Sequence, residues 1–329
     1  MRAPEFWKAD VSGRDAVPML RALLTPVAWA YAEVAARRNK SRRARQAPVP
    51  VICVGNLTVG GAGKTPITRA IRARLGAHAH TLSRGYGGRL AGPLRVTPDM
   101  DAREVGDEPL LHAADGPAWI SRDRFAGAMA AASAGAHAII MDDGFQNPAL
   151  AKDLSILAID AGYGIGNGKV FPAGPLRERL GDGLARADAI ILMGDDSDRA
   201  PWLEAFEGPV LRARIVPIGA APDGPLVAFA GLARPEKFFD TLAAAGAELE
   251  ETLPFPDHHI YDQDDLDLIA RFGAERGARL ITTEKDAARL TPEWRARVLV
   301  LPVEAQFSDE PALDALLAPI RSRMKTAHG

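Results

Sequence analysis

Four short apolar runs punctuate the first two thirds of the chain: VPVICVG (49–55), HAIIMDD (137–143), LSILAID (154–160) and DAIILMG (188–194). They are nearly continuous in hydrophobicity, as strands covered on both faces of a parallel sheet must be. Between them lie stretches of helical period. RDRFAGAMAAASAG (122–135) is one, and TPITRAIRARL (65–75) is another. In the latter Ile67, Ala70, Ile71 and Leu75 share a face, Arg69 and Arg72 lie elsewhere, and Gly76 is a natural stop. This alternation predicts an α/β fold, a mostly parallel sheet with flanking helices joined by crossovers. The Pro- and Gly-rich break VPIGAAPDGP (216–225) precedes a fresh series: LVAFAGL, PEKFFDTLAAAG, ARLITTEKD and VLVLPVE. The expected organisation is a larger unit over 1–225 and a smaller α/β unit over 226–329.

The N-terminal pattern is different. Residues 17–36 predict a helix in which Ala22 to Ala32 are eleven uncharged residues, interrupted by Pro26 and flanked by Arg21 and Glu33. That is well short of the ~20 apolar residues needed to span a bilayer. The late start and the lack of a small-residue cleavage pattern also argue against a signal peptide. A basic cluster follows: Arg37, Arg38, Lys40, Arg42, Arg43 and Arg45.

Charge sharpens the contrast. No acidic residue lies between Glu33 and Asp99, where 13 Lys and Arg fall; the rest of the chain holds 27 basic residues against 42 acidic. A cationic segment on an otherwise acidic protein calls for an anionic partner. No aromatic residues interleave the basic run, which disfavours single-stranded nucleic acid. Two readings fit the segment: a helix lying in a membrane interface with Trp29 and Tyr31 as anchors, or an ordinary packed helix followed by a solvated charge run. The one cysteine, Cys53, sits inside an apolar run with no disulfide partner.

The candidate chemistry begins after the first strand, where NLTVGGAGKT (56–65) leads into a helix. In this strand–loop–helix setting Thr58, Val59, Gly60, Gly61, Ala62, Gly63, Lys64 and Thr65 form a nucleotide-binding loop. Backbone N–H groups and the helix N-terminus would cradle phosphates, Lys64 would bridge the β- and γ-phosphates, and Thr65 would ligate Mg²⁺. Thr58 stands where a Walker A motif has its first glycine, a departure that removes no phosphate-touching group. Asp142 and Asp143, at the end of an apolar run, are candidates for the acidic partner of Mg²⁺. A GTPase switch is disfavoured, because Met141 stands three residues before Gly144 and no Asn-Lys-x-Asp occurs.

VGNLTVGGAGKTP, LSRGYGG, VGDEP, MDDGFQN, GNGKVFPAGPLRE, FPDHH and TTEKDAARL occur in this order. Together they closely resemble the tetraacyldisaccharide 4'-kinases of lipid A biosynthesis, over roughly residues 15–300. The resemblance implies a kinase that moves the γ-phosphate of ATP to the 4'-hydroxyl of a tetraacyldisaccharide 1-phosphate, giving lipid IVA. Its partners would be the lipid A disaccharide precursor and the inner-membrane lipid surface, on the cytoplasmic face, as a peripheral protein. Neither nucleic acid nor an obligate protein partner is expected.

By the same resemblance Asp107 is the residue that accepts the hydroxyl proton and His258, not His259, is its partner. Glu108 joins Thr65, Asp142 and Asp143 as a candidate for Mg²⁺. Arg84, Gly85 and Arg177 are candidates for substrate or phosphate, and each arginine could equally be a structural ion pair. Because Asp107 and His258 fall on opposite sides of residue 225, a hinge closing on ATP is expected to bring them together. The alternative kept open is a membrane-associated P-loop ATPase switch or assembly factor.

Overall fold

The computed structural model describes residues 4–8, 16–41, 43–194 and 201–326. Arg42 therefore lies outside the described residues. In chain order the first part contains α1 (Ala16–Ser41), β1 (Val51–Gly55), α2 (Lys64–Leu75), β2 (Ala79–Ser83), β3 (Leu94–Val96), α3 (Ala102–Val105), α4 (Asp107–Asp115), β4 (Ala118–Ile120), α5 (Arg124–Ser133), β5 (Ala138–Asp142), β6 (Leu154–Asp160), α6 (Leu180–Leu184), β7 (Ala189–Met193) and β8 (Val210–Pro217). The second part contains β9 (Pro225–Ala230), α7 (Glu236–Ala244), β10 (Glu248–Pro254), α8 (Gln263–Arg276), β11 (Arg279–Thr283), α9 (Glu284–Ala287), α10 (Pro292–Arg295), β12 (Val298–Leu301), β13 (Val303–Phe307) and α11 (Glu310–Thr326).

The large sheet has nine strands in the order β13-β8-β7-β6-β1-β5-β2-β4-β3, parallel except for the outer pairs β13/β8 and β3/β4. All four apolar runs of the first part are strands β1, β5, β6 and β7, side by side at its centre. Their residues alternate between two cores. Ile52 and Val54 face one with Ile67 and Ile71 of α2 and Leu313 and Leu317 of α11; Val51 and Cys53 face the other with Ala128 and Ala131 of α5. Central strands buried on both faces are what the unbroken hydrophobicity required. Arg72 of α2 is buried, and its Nε donates to the carbonyl of Ala79 at 3.1 Å.

The smaller sheet, order β10-β9-β11-β12, is fully parallel. Helices α7 and α8 cover opposite faces, through Phe238 and Leu242 on one and Leu266 and Ile269 on the other. The unit drawn from sequence over 226–329 differs from this arrangement at its end. VLVLPVE is two strands: β12 completes the small sheet, and β13, past Pro302, pairs antiparallel with β8 of the large one. Proline has no N–H to continue a ladder, so it marks where the chain changes sheets. Helix α11 then packs on the large sheet.

Helix α1 buries Ala28 and Ala32 but leaves Met19, Leu20, Leu23, Val27, Tyr31 and Val34 exposed. At 100° per residue those six fall within an arc of about 120°. Trp29, also exposed, lies off that arc. Among the described residues no helix is long and apolar enough to cross a membrane.

Ile71 is fully buried between α2 and the sheet. Ile71→Ala is expected to cost about 2–5 kcal/mol, measured as the shift in urea unfolding midpoint at constant slope.

Candidate active site

Strand β1 delivers the chain into the loop 56–63, and α2 starts at Lys64. Gly63 has φ of +75°, a backbone conformation that favours glycine, and a Cβ there would sit 3.0 Å from the flexible end of Met193. Asn56 Nδ2 donates to the carbonyl of Gly60 at 3.1 Å, bracing the loop from inside. Thr58 forms an isolated antiparallel bridge to Leu176, and the N–H of Val59 donates to the Pro175 carbonyl at 2.8 Å. Among the described non-glycine residues only Asp143 and His258 have positive φ. Thr58 thus occupies a conformation open to any residue, which is why the missing glycine costs nothing here.

The acid at the end of β5 lies one strand away. Thr65 Oγ1 donates to Asp142 Oδ2 at 3.2 Å, and His112 Nε2 lies 2.8 Å from the same oxygen. Asp142 Oδ1 is buried and has no partner among the described residues. A P-loop hydroxyl beside a carboxylate with one unspent oxygen is a donor set that fits Mg²⁺. Asp143, turned by its φ of +54°, faces elsewhere: Arg177 Nη1 lies 2.8 Å and Lys64 Nζ 3.8 Å from its Oδ1. Burial opposes its charge, but those two cations outweigh burial and hold the carboxyl below its ordinary value. Arg177 is therefore an ion-pair partner of Asp143 that also reaches Gln146.

The candidate acceptor residue Asp107 stands at the start of α4. Gly106, φ +91°, lies so close to the loop 84–88 that a Cβ would be 2.3 Å from the carbonyl oxygen of Tyr86. That contact sets Asp107 at the helix N-terminus, where a carboxylate is favoured. Asp107 Oδ1 accepts the N–H of Glu108 at 2.9 Å, while Oδ2 faces His258 Nδ1 at 3.2 Å and accepts from Arg289 Nε at 2.9 Å. His258 and Asp107, expected to meet only on closure, are already paired. His259 instead bonds Asp265 at 2.7 Å. Burial would raise the Asp107 pKa, but the His258 hydrogen bond and the charges of Arg289 and Lys285 hold it well below the carboxylate range.

Glu108 Oε1 accepts from Lys285 Nζ at 2.5 Å. Burial works against the Lys285 charge, yet Glu108 and Asp107, with Asp142 further out, raise its pKa. Thr65, Asp142, Asp143 and Glu108 do not converge as one cage: among the described residues no group of three or more His, Cys, Asp or Glu could hold a metal ion. Arg84 is exposed, and Gly85 (φ +71°) lies so close to the Val105 carbonyl that a Cβ would sit 3.1 Å from its oxygen. The Arg84 charge and, more strongly, burial push buried Arg124 down to about 10.

Several participants were not picked out from the sequence. His112 lies four residues after Glu108 on one helix face, a spacing that could have flagged it. Arg234 and Lys237 carried no local signal, and Arg289, inside TTEKDAARL, had no role assigned to it. Arg234 Nη2 donates to the P-loop carbonyl of Gly61 at 3.2 Å, and with Lys237 it pairs with Asp160 at the end of β6.

The Asp107 hydrogen bond is the largest influence on His258 and raises its pKa above 6.5. The protonated form is thus favoured by folding, so this stabilisation is full below the unfolded-state value and lost as pH rises through the folded one. The ¹H–¹⁵N titration of the His258 ring is expected to have its midpoint above 6.5 in the wild type and to fall towards it in Asp107→Asn. A midpoint unmoved by the substitution would refute the pairing.

The family model described as Tetraacyldisaccharide-1-P 4'-kinase matches residues 20–321. The tetraacyldisaccharide 4'-kinase of Hyphomonas neptunium is 53% identical, over 98% of this chain and 99% of its own. That of Phenylobacterium zucineum is also 53% identical, over 96% of this chain and 98% of its own. Among solved structures, the "apo" form of LpxK from Aquifex aeolicus in complex with ATP superposes with a TM-score of 0.74 at 30% identity, covering 92% of this chain and 99% of that one. With a P-loop, its acidic partner and the Asp107–His258 pair in place, the chain belongs to the tetraacyldisaccharide-1-P 4'-kinase family.

Proposed function

We propose that this chain transfers the γ-phosphate of ATP to the 4'-hydroxyl of a tetraacyldisaccharide 1-phosphate, with Asp107 facing that hydroxyl. One observation carries the assignment of Asp107. Helix α4 holds Asp107 at its first residue and, through His112, touches the Asp142 carboxylate beside Thr65. A single rigid element thereby links a candidate acceptor base to the phosphate-binding loop.

Phosphoryl transfer asks mainly for positioning and charge stabilisation. The loop N–H groups and Lys64 would hold the β- and γ-phosphates. Thr65 and Asp142 would hold Mg²⁺, which when bound neutralises phosphate charge. Asp107 accepts a hydrogen bond from the 4'-hydroxyl and takes its proton as the oxygen bonds to the γ-phosphorus and the bond to ADP breaks. His258, charged over a widened pH range, keeps the carboxylate oriented. Glu108 and Asp143, each spent on cations, shape the site from beside it.

The lipid substrate is an amphiphile, and α1 supplies a matching surface. Its exposed apolar arc exceeds the scattered single residues ordinary on a surface. Of the basic cluster, Arg37, Arg43 and Arg45 are exposed, Arg37 pairing with Glu33 at 3.0 Å and Arg45 stacking 3.7 Å above the Phe125 ring. We read this helix as lying on the cytoplasmic face of the inner membrane, with the acyl chains left in lipid.

Labelled γ-phosphate is expected to pass from Mg-ATP to detergent-dispersed tetraacyldisaccharide 1-phosphate. Asp107→Ala should slow the transfer by about 10²–10⁴-fold. Equal rates would remove Asp107 from the chemistry, and ATP hydrolysis without lipid product would favour an ATPase switch. A Leu23→Asp, Val27→Asp double variant should lose most of its flotation with anionic phosphatidylglycerol vesicles while keeping its fold by circular dichroism. Undiminished flotation would exclude this helix face as the anchor.

A further inference from the structure

The segment TTEKDAARL, without an assigned role in the sequence, lies across the boundary between the two sheets. Glu284 binds Arg69 Nη1 at 2.9 Å, Lys285 binds Glu108 and Arg289 binds Asp107. About one and a half turns of chain thus reach three places on the larger unit, two of them the adjacent residues that open α4.

The third contact is built differently from an ordinary surface pair. The Arg289 and Asp107 side chains are each 5% exposed. Behind Arg289 lies Asp286, fully buried, whose Oδ1 accepts from the Gly231 N–H at 2.9 Å, Tyr261 Oη at 2.8 Å and Arg289 Nη1 at 2.9 Å. Its Oδ2 accepts from Thr283 Oγ1 at 2.6 Å. Arg289 Nη1 also donates to the Gly231 carbonyl at 3.0 Å. One side of the guanidinium is therefore fixed within the smaller unit. Its other side, Nε and Nη2, goes to Asp107, and both nitrogens reach the same oxygen, Oδ2.

The two oxygens of Asp107 are consequently unequal. Oδ2 is met by Nε and Nη2 of Arg289 and by His258 Nδ1. Oδ1 has one hydrogen-bond partner among the described residues, the N–H of Glu108. A carboxylate oxygen has two lone pairs to offer, so Oδ2 is spent and Oδ1 keeps room for one more donor. We propose that Arg289 is a positioning residue for the acceptor: by occupying Oδ2 it presents Oδ1 of Asp107 to the hydroxyl, making the smaller unit part of the acceptor site. The inference rests on Asp107 being the hydroxyl-facing carboxylate.

A double-mutant cycle tests it, because a residue that works through Asp107 has nothing to add once Asp107 is changed. Wild type, Arg289→Gln, Asp107→Asn and the double variant are assayed for transfer from Mg-ATP to detergent-dispersed tetraacyldisaccharide 1-phosphate. Misplacing a reacting group by about 1 Å can cost about 10²-fold. Arg289→Gln is therefore expected to lower kcat about 10–100-fold with the KM for ATP almost unchanged, and the double variant to match Asp107→Asn. Arg289→Lys, which keeps the charge but cannot place two donors on one oxygen in the same way, should fall between wild type and Gln.

Wild-type kcat in Arg289→Gln, or losses that multiply in the double variant, would overturn the proposal. If the Gln variant does not fold, the cycle is run with Lys, whose deficit must likewise vanish in the Asp107→Asn background. A deficit that persists there assigns Arg289 to interface stability alone and overturns the positioning role. Lack of lipid phosphorylation by the wild type would instead strike the functional reading on which the cycle depends.

Discussion

The carboxylate of Asp107 is the point on which the arrangement depends. Burying a charge is costly unless it is paired and hydrogen-bonded, and this one is buried at the start of a helix in one unit with its cations in the other. His258 comes from the loop after β10 and Arg289 from the turn after α9, both in the smaller unit, and Asp107 comes from the larger. The site therefore exists only while the two units touch. The strain at its edges agrees with this. His258 takes a positive φ that histidine seldom adopts, with its N–H donated to the Gly231 carbonyl at 3.2 Å and its ring tilted 5.4 Å from Tyr86. Such a conformation persists where surroundings over-determine it.

The same logic runs through the rest of the boundary. Arg69 is held between Asp115 and Glu284, one from each unit, and Asp160 at the end of β6 takes both Arg234 and Lys237. These contacts tie the smaller unit to α2, to α4 and to the P-loop, the elements assigned above to phosphate and acceptor. These pairs are half-buried, and Asp160 itself is buried. Their effect is on registry: with several charges placed on both sides, few relative positions leave every one of them paired.

Much of this was legible in the sequence because it follows from local rules. The central strands announced themselves by unbroken hydrophobicity, the P-loop by glycines before Lys64-Thr65, and Asp142 by its place at a strand end. The polar strand β10, ELEETLP, did not, because only its position beside β9 makes it a strand. The role of Arg289 was hidden: it matters through a partner 182 residues away, and no local pattern encodes such a distance; for His112 only its helical spacing from Glu108 offered a signal. The pairing of Asp107 with His258 came from resemblance to a family, not from composition or spacing. The return of β13 to the large sheet turns on Pro302 and on β8 presenting a free edge, a condition visible only once the sheet is assembled.

That return constrains how the units can move. The chain crosses between them twice, at 217–225 and again at Pro302, so the smaller unit is tethered at both ends to neighbouring strands, β8 and β13. A hinge there allows rotation about that edge of the large sheet and little else. Rotation that opens the boundary must separate Asp107 from Arg289, leaving charges that were paired in the dry part of the interface. Breaking a buried pair by losing one partner costs about 3–5 kcal/mol, offset only where water reaches both ends as they part. Closure is thus the resting arrangement that the charges favour, and under the proposed assignment a bulky acceptor would enter against it. Its hydroxyl would then repay part of that cost by bonding Asp107 Oδ1, the oxygen that the ion pair leaves available.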